Sequence, residues 1–315
     1  MSRAALRAVE RLVALDAEHG ATAAVPAARA AVREFPELTA APGSLPGRHR
    51  HGHGHRHEDR DRLAALAELC EVIGWILFDA GRYAPAHAAN RQALDLAHLA
   101  GDHWTARLVH LNHAMLQTHT GRARAALDTV ARVPGTRPLP ARVHSLTLIR
   151  RAHATALLGG RREPLDLIDR ARSRFLDGIS RHDPHWAWWI DETELTGHQG
   201  WVLARLGCWD RAIPLLHRAA TAPGPSYRHL FTAHLLSALA GAGAWTEAEQ
   251  LIADLAPRAA GIGSARTTET LGRTAAALCR TAGVPPCLRD AAVHLRAALP
   301  AGTQRAAAPT SPTER

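Results

Sequence analysis

Residues 183–219 read DPHWAWWIDETELTGHQGWVLARLGCWDRAIPLLHRA, and their punctuation decides the fold class. Apolar residues recur at helical spacing from Trp186 to Leu206, Gly207 interrupts, Trp209 follows, and a second apolar-periodic stretch runs from Asp210 to Ala219. The spacing predicts one helical hairpin. Its signature is a glycine, an aromatic residue two positions on and an alanine three beyond that. It returns at Gly81, Tyr83 and Ala86, at Gly243, Trp245 and Ala248, and in weaker form at Gly121, Ala123 and Ala126. Glycine closes a helix in the left-handed conformation, the aromatic ring packs across the turn, and alanine lets the second helix approach the first.

Turn glycines at 81, 121, 160, 207, 243 and 283 are separated by 40, 39, 47, 36 and 40 residues, the period of stacked helical pairs. The expected fold is all-α, a right-handed tetratricopeptide-like α-solenoid of about six helical hairpins with a short N-terminal helical cap. The hairpins pair residues 63–79 with 85–100, 104–120 with 124–133, 141–158 with 164–177, 186–206 with 210–219, 227–242 with 246–259, and 267–281 with 286–299. Pro85, Pro164 and Pro286 fall in the first turns of second helices, where a missing N–H does no harm.

Around this repeat domain, residues 63–300, composition sets three further segments. Residues 1–37 carry two apolar stripes separated near Gly20, a pair too small to bury its own faces and therefore expected to cap the array or to dimerise. Residues 38–62 combine Pro, Gly, mixed charge and alternating histidines, His49, His51, His53, His55 and His57, and are expected to form a disordered linker. Such a run binds nickel, zinc or copper weakly through neutral imidazole, or is a low-complexity tract with no ligand. Residues 301–315 are expected to be a disordered tail.

The formal charge is +9, and every one of the 38 basic residues is arginine. They are spread along the chain, and no basic helix gathers them. That pattern describes a solvated surface, with direct DNA binding through the arginines as the alternative. The four cysteines form no CxxC pair, so neither a zinc ribbon nor a redox motif is indicated. Charges run through residues 1–20 and no signal peptide is legible, so the cytoplasm is the expected compartment and no membrane segment is expected.

Chemistry-bearing residues concentrate in the opening stretch. On a continuous helix from Trp186 to Leu206, Asp191, Glu194, His198 and Arg205 share a strip of about 60° between two apolar faces, one of which carries Trp188. Trp188, Asp191, Glu194, His198 and Arg205 are therefore the candidate groove for a protein, peptide or small ligand. The alternative is a solvated strip of intrahelical ion pairs beside core tryptophans. Glu194 and His198 alone make no metal or acid–base site, and there is no phosphate loop, nucleophile elbow or HExxH. No catalytic residue and no cofactor are expected.

The phrases LAELCEVIGWILFDAGRY, LDLAHLAGD, LIDRARSRFLDGIS, DPHWAWWIDETELTGHQGWVLARLG and AGAWTEAEQLI resemble the helical-repeat region of actinobacterial transcription regulators of the xenobiotic-response-element, Cro/repressor helix-turn-helix class. The resemblance runs from Leu6 to Leu299. In those regulators a DNA-binding helix-turn-helix comes first, and a segment like RAVERLVALDAEHG then leads into the array. The resemblance implies a sensor, interaction or dimerisation region in gene regulation. The implied partner is a protein or peptide, itself or a full-length helix-turn-helix relative. The sequence starts at the segment that in those regulators follows the DNA-binding module. The expectation is either a relative that has lost DNA binding or a start assigned too far downstream, and DNA recognition by residues 1–315 themselves is not expected. A plain scaffold without ligand is the remaining alternative.

Overall fold

Glycines in the left-handed region close the first helices of the hairpins. Gly81, Gly121, Gly159, Gly207 and Gly243 all have φ between 73° and 87°. The residue after each donates its N–H back to a carbonyl five positions earlier: Arg82 to Leu77 at 2.7 Å, Arg122 to Gln117 at 2.7 Å, Gly160 to Thr155 at 3.0 Å, Cys208 to Leu203 at 2.9 Å and Ala244 to Leu239 at 3.0 Å. This long return bond satisfies a carbonyl that the helix end leaves open. The residue five positions after each glycine, Ala86, Ala126, Pro164, Ala212 or Ala248, is then buried in the hairpin.

The computed structural model describes residues 2–40, 53–135 and 138–300. Among them are fourteen α-helices and no strand. They are α1 (Ser2–His19), α2 (Ala21–Glu34), α3 (His53–Asp79), α4 (Tyr83–Ala100), α5 (His103–His119), α6 (Ala123–Val130) and α7 (Ala141–Leu157). There follow α8 (Arg162–Phe175), α9 (Glu192–Arg205), α10 (Trp209–Thr221), α11 (His229–Ala242), α12 (Trp245–Leu255), α13 (Ala265–Arg280) and α14 (Pro286–Ala298). The chain is all-helical, and α3 to α14 follow the expected order of six consecutive pairs. No described helix is long and apolar enough to cross a membrane.

The chain divides into two compact units, Met1–Leu195 and Thr196–Arg315, with the division inside α9. In the first, α1 packs on α2 and α3, and each later helix packs on its hairpin partner or on the start of the next hairpin; α3, α5 and α7, the first helices of three hairpins, also touch in turn. Ala5, Ala8, Leu12, Ala24, Ala28 and Phe35 of the N-terminal pair lie in one core with Leu66, Leu69 and Ile73 of α3 and Leu96 of α4. The pair is thus the first layer of this unit. In the second, α10 packs on α11, α11 on α12 and α13, and α14 on α12 and α13.

Three boundaries differ from those expected. The helix expected from residue 63 begins at His53, and so includes residues 53–62 of the expected linker. His57 Nδ1 lies 3.2 Å from Asp61 Oδ2 one turn on, and Arg62 is ion-paired with Glu37, local support that a charge-rich composition conceals. In the third hairpin Gly159 takes the positive φ in place of Gly160, which restores the five-residue spacing to buried Pro164. Trp186 to Leu206 is not one helix: His185–Trp189 forms a 3-10 turn, and α9 starts at Glu192. Asp191 causes the restart, its Oδ1 accepting from the Glu194 N–H at 2.9 Å as an N-cap does.

Helices of the second unit approach at glycines. A Cβ on Gly197 would stand 2.4 Å from Phe231 Cζ, and one on Gly200 would stand 2.8 Å from Leu216 Cγ and 3.2 Å from the Ala212 carbonyl oxygen. Gly197→Ala and Gly200→Ala are each expected to lower unfolding free energy by about 1–3 kcal/mol through overpacking. Gly261→Ala, with open space at that position, serves as the near-neutral control in the same urea titration. Equal midpoints for all three variants would refute the close approach.

Candidate partner-binding site

The break before α9 sets Trp188 apart from the other expected groove residues: Asp191 caps α9, and Glu194, His198 and Arg205 lie on it. Trp188 sits on the 3-10 turn, 63% exposed. Asp191 is half-buried and serves as the cap. Glu194 and His198 are 5% and 6% exposed, so neither belongs to a solvated strip. Trp188, Asp191 and Glu194 belong to the first unit, His198 and Arg205 to the second.

In the second unit His198 and Arg205 serve one tryptophan. The Trp201 ring is stacked by His198 at 5.7 Å and by His234 of α11 at 4.0 Å, and the Arg205 guanidinium lies 5.8 Å above it. Phe231 meets His198 edge-on at 5.7 Å, in the space that Gly197 leaves. Burial and the nearby Arg273 lower the Arg205 pKa. A cation on an aromatic face and ring pairs in this geometry each add about 0.5–1.5 kcal/mol of packing. These two residues hold α9 to its neighbour.

The first unit places a different set of residues together. The 3-10 segment folds back over the first helices of the hairpins as a strap. Trp186, Ala187 and Ile190 are buried with Leu108 and Leu111 of α5 and Val143 and Leu146 of α7. Arg142 Nη1 donates to the Ala187 carbonyl at 3.3 Å, and His185 Nε2 donates to Glu68 Oε1 of α3 at 3.0 Å, across 117 residues. The hydrogen bond to Glu68 raises the His185 pKa. Trp188 points away from this core, in the 176–191 connection that also exposes Leu176 and Ile179.

One turn along α3 from Glu68, Glu71 is interior, and its Oε1 accepts from Asn112 Nδ2 of α5 at 2.6 Å. Burial raises its pKa to about 7, the Asn112 bond opposes that rise, and the charge of Glu68 adds to it. Burial also pushes the neighbouring Cys70 thiol up to about 12, which leaves it an un-ionised core residue. In the sequence Glu68 and Glu71 are two charges that interrupt the apolar run from Leu63 to Phe78. Their partners, Asn112 and His185, carried no local signal.

Of the histidine run, His49 and His51 lie outside the described residues, His53 and His55 fall within α3, and His57 is exposed beside Asp61. Among the described residues no group of three or more His, Cys, Asp or Glu side chains is arranged to hold a metal ion. No family model and no curated protein matches this chain.

Glu71 also supplies a pH-dependent expectation. Its pKa rises on folding from an ordinary 4.5 to about 7. The unfolded chain therefore releases this proton first, and stability falls as pH rises from about 4.5 to 7 and then stays level. Glu71→Gln keeps an acceptor for Asn112 and has no charge to desolvate. It is expected to raise unfolding free energy at pH 8 by about 1–3 kcal/mol, with the gain shrinking below pH 5, as measured by urea denaturation. A loss of stability at pH 8 would mean that the fold holds Glu71 as a carboxylate.

Proposed function

We propose that this chain is a non-enzymatic regulatory protein whose hairpins stack as a right-handed tetratricopeptide-like solenoid and bind a protein or peptide. The observation that carries the reading is the 176–191 connection. It exposes Leu176, Ile179 and Trp188 together in sequence, on a segment that Trp186 and Ile190 anchor in the core. Solvent-facing large apolar residues on an anchored connection suit recognition, and tryptophan is the residue most often central to a protein interface. Asp191, half-buried at the end of the same connection, remains reachable from solvent.

The resemblance to helix-turn-helix regulators directs the choice of partner to a full-length relative of that class. A pull-down between purified proteins is expected to give a complex in which Trp188→Ala weakens affinity about tenfold or more, while the melting midpoint stays within about 1 °C of the parent, the behaviour of an exposed hot-spot residue. In a gel-shift at about 0.15 M salt with nonspecific competitor, the chain alone is expected to leave labelled upstream DNA unshifted and to alter the shift made by the relative. A sequence-specific shift by the chain alone, or a complex indifferent to Trp188, would overturn the reading.

A further inference from the structure

Histidines line the seam between the first two hairpins of the first unit, where α4 packs on α5. His87 Nδ1 and His113 Nε2 are 2.8 Å apart, with ring centroids at 5.0 Å. One turn towards the hairpin turn, Tyr83 Oη and His119 Nε2 are 2.9 Å apart, with Phe78 against both rings. In the other direction along α5 lies His110, buried, and its Nδ1 meets no hydrogen-bond partner among the described residues.

A hydrogen bond between two imidazole nitrogens contains a single proton. One ring donates, the other accepts, and the pair exists only while the accepting nitrogen is bare. The charges acting on it offer no compensation for a second proton. Arg91 of α4 and Arg122 of the turn before α6 act on both histidines, and His110 of α5 acts on His113. Arg132 and His98 act on His110 in turn. From α7, Arg150 donates to the Leu111 carbonyl of α5 at 3.2 Å, a further cation. From α3, Glu71 is bonded to Asn112 of α5, and acidification neutralises it.

We propose that the α4–α5 seam is an acid-sensitive joint: protonation of the His87–His113 pair places two cations at contact among arginines and loosens the first hairpin layer from the second. Burial first, and then the neighbouring positive charges, lowers the pKa of His110 and His113 to about 4 and also lowers that of His87. The unfolded chain takes up these protons near the ordinary histidine pKa of 6.5, ahead of the folded chain. The stabilisation is therefore full above about pH 6.5 and is lost as pH falls towards 4. Glu71 changes in the opposite sense over part of this window, so the joint is read from the difference between wild type and a variant that retains Glu71.

The test is thermal unfolding of the full chain at pH 7.5 and 5.5, wild type against His87→Gln/His113→Gln. The amides can keep a neutral hydrogen bond without titrating. The wild-type midpoint is expected to fall by about 5 °C more than the variant's between the two pH values. Parallel falls would overturn the proposal. Should the variant not fold, hydrogen exchange of the wild-type chain, corrected for intrinsic rates, decides. Protection lost at pH 5.5 in α4 and α5 but kept in α11 supports the joint; equal loss in all three overturns it.

Discussion

The fold depends on one backbone conformation repeated at intervals: a glycine with φ near +75° that stops a helix and sends the next one back alongside it. An L-residue held there costs about 1–2 kcal/mol, because its Cβ meets the following carbonyl oxygen. The return hydrogen bond around each glycine fixes the path of the next few residues closely enough that the side chain five positions on always lands inside the hairpin. That geometry explains why alanine fills most of those positions. A larger residue would separate the two helices, and a polar one would be desolvated without a partner. From this constraint come the alanine-rich cores and the glycine contacts of the second unit, where Gly197 and Gly200 let a ring and a backbone approach.

Close packing of small residues leaves little apolar area per residue, and several buried polar groups meet one another between layers. The Glu71–Asn112 bond, the histidines of the α4–α5 seam and the ring stack on Trp201 all lie where one hairpin meets the next. Within a hairpin single polar contacts, such as Ser145 Oγ donating to the Ala171 carbonyl and Arg218 Nη2 to Thr196 Oγ1, accompany the aliphatic core. Polar contacts between hairpins specify which layer follows which, a selectivity that interchangeable alanine faces do not provide.

The hairpins were legible because their signals are local. A glycine, an aromatic residue and an alanine at fixed offsets, with apolar periodicity on either side, need no distant partner to be read. At Gly159 and Gly160 two adjacent glycines leave the register open to local pattern, and buried Pro164 decides it. The candidate groove was less legible for a physical reason. Asp191 caps a new helix, and that cap takes Trp188 out of phase with Glu194, His198 and Arg205. The strap was beyond local reasoning altogether, since the attachment of His185 to Glu68 spans most of the first unit.

That attachment changes how the first unit comes apart. A row of hairpins in which each touches only its neighbours frays from its ends, one layer at a time, because losing the last layer costs the first nothing. The strap joins the exit of the third hairpin to the first helix of the first hairpin. Fraying at α8 must therefore either detach the tryptophan anchor from α5 and α7 or disturb α3 as well. Closing so long a loop is slow compared with forming any single hairpin, so this attachment belongs late in folding. Once made, it ties the exit of the third hairpin to the first, so the two ends of the row no longer separate independently.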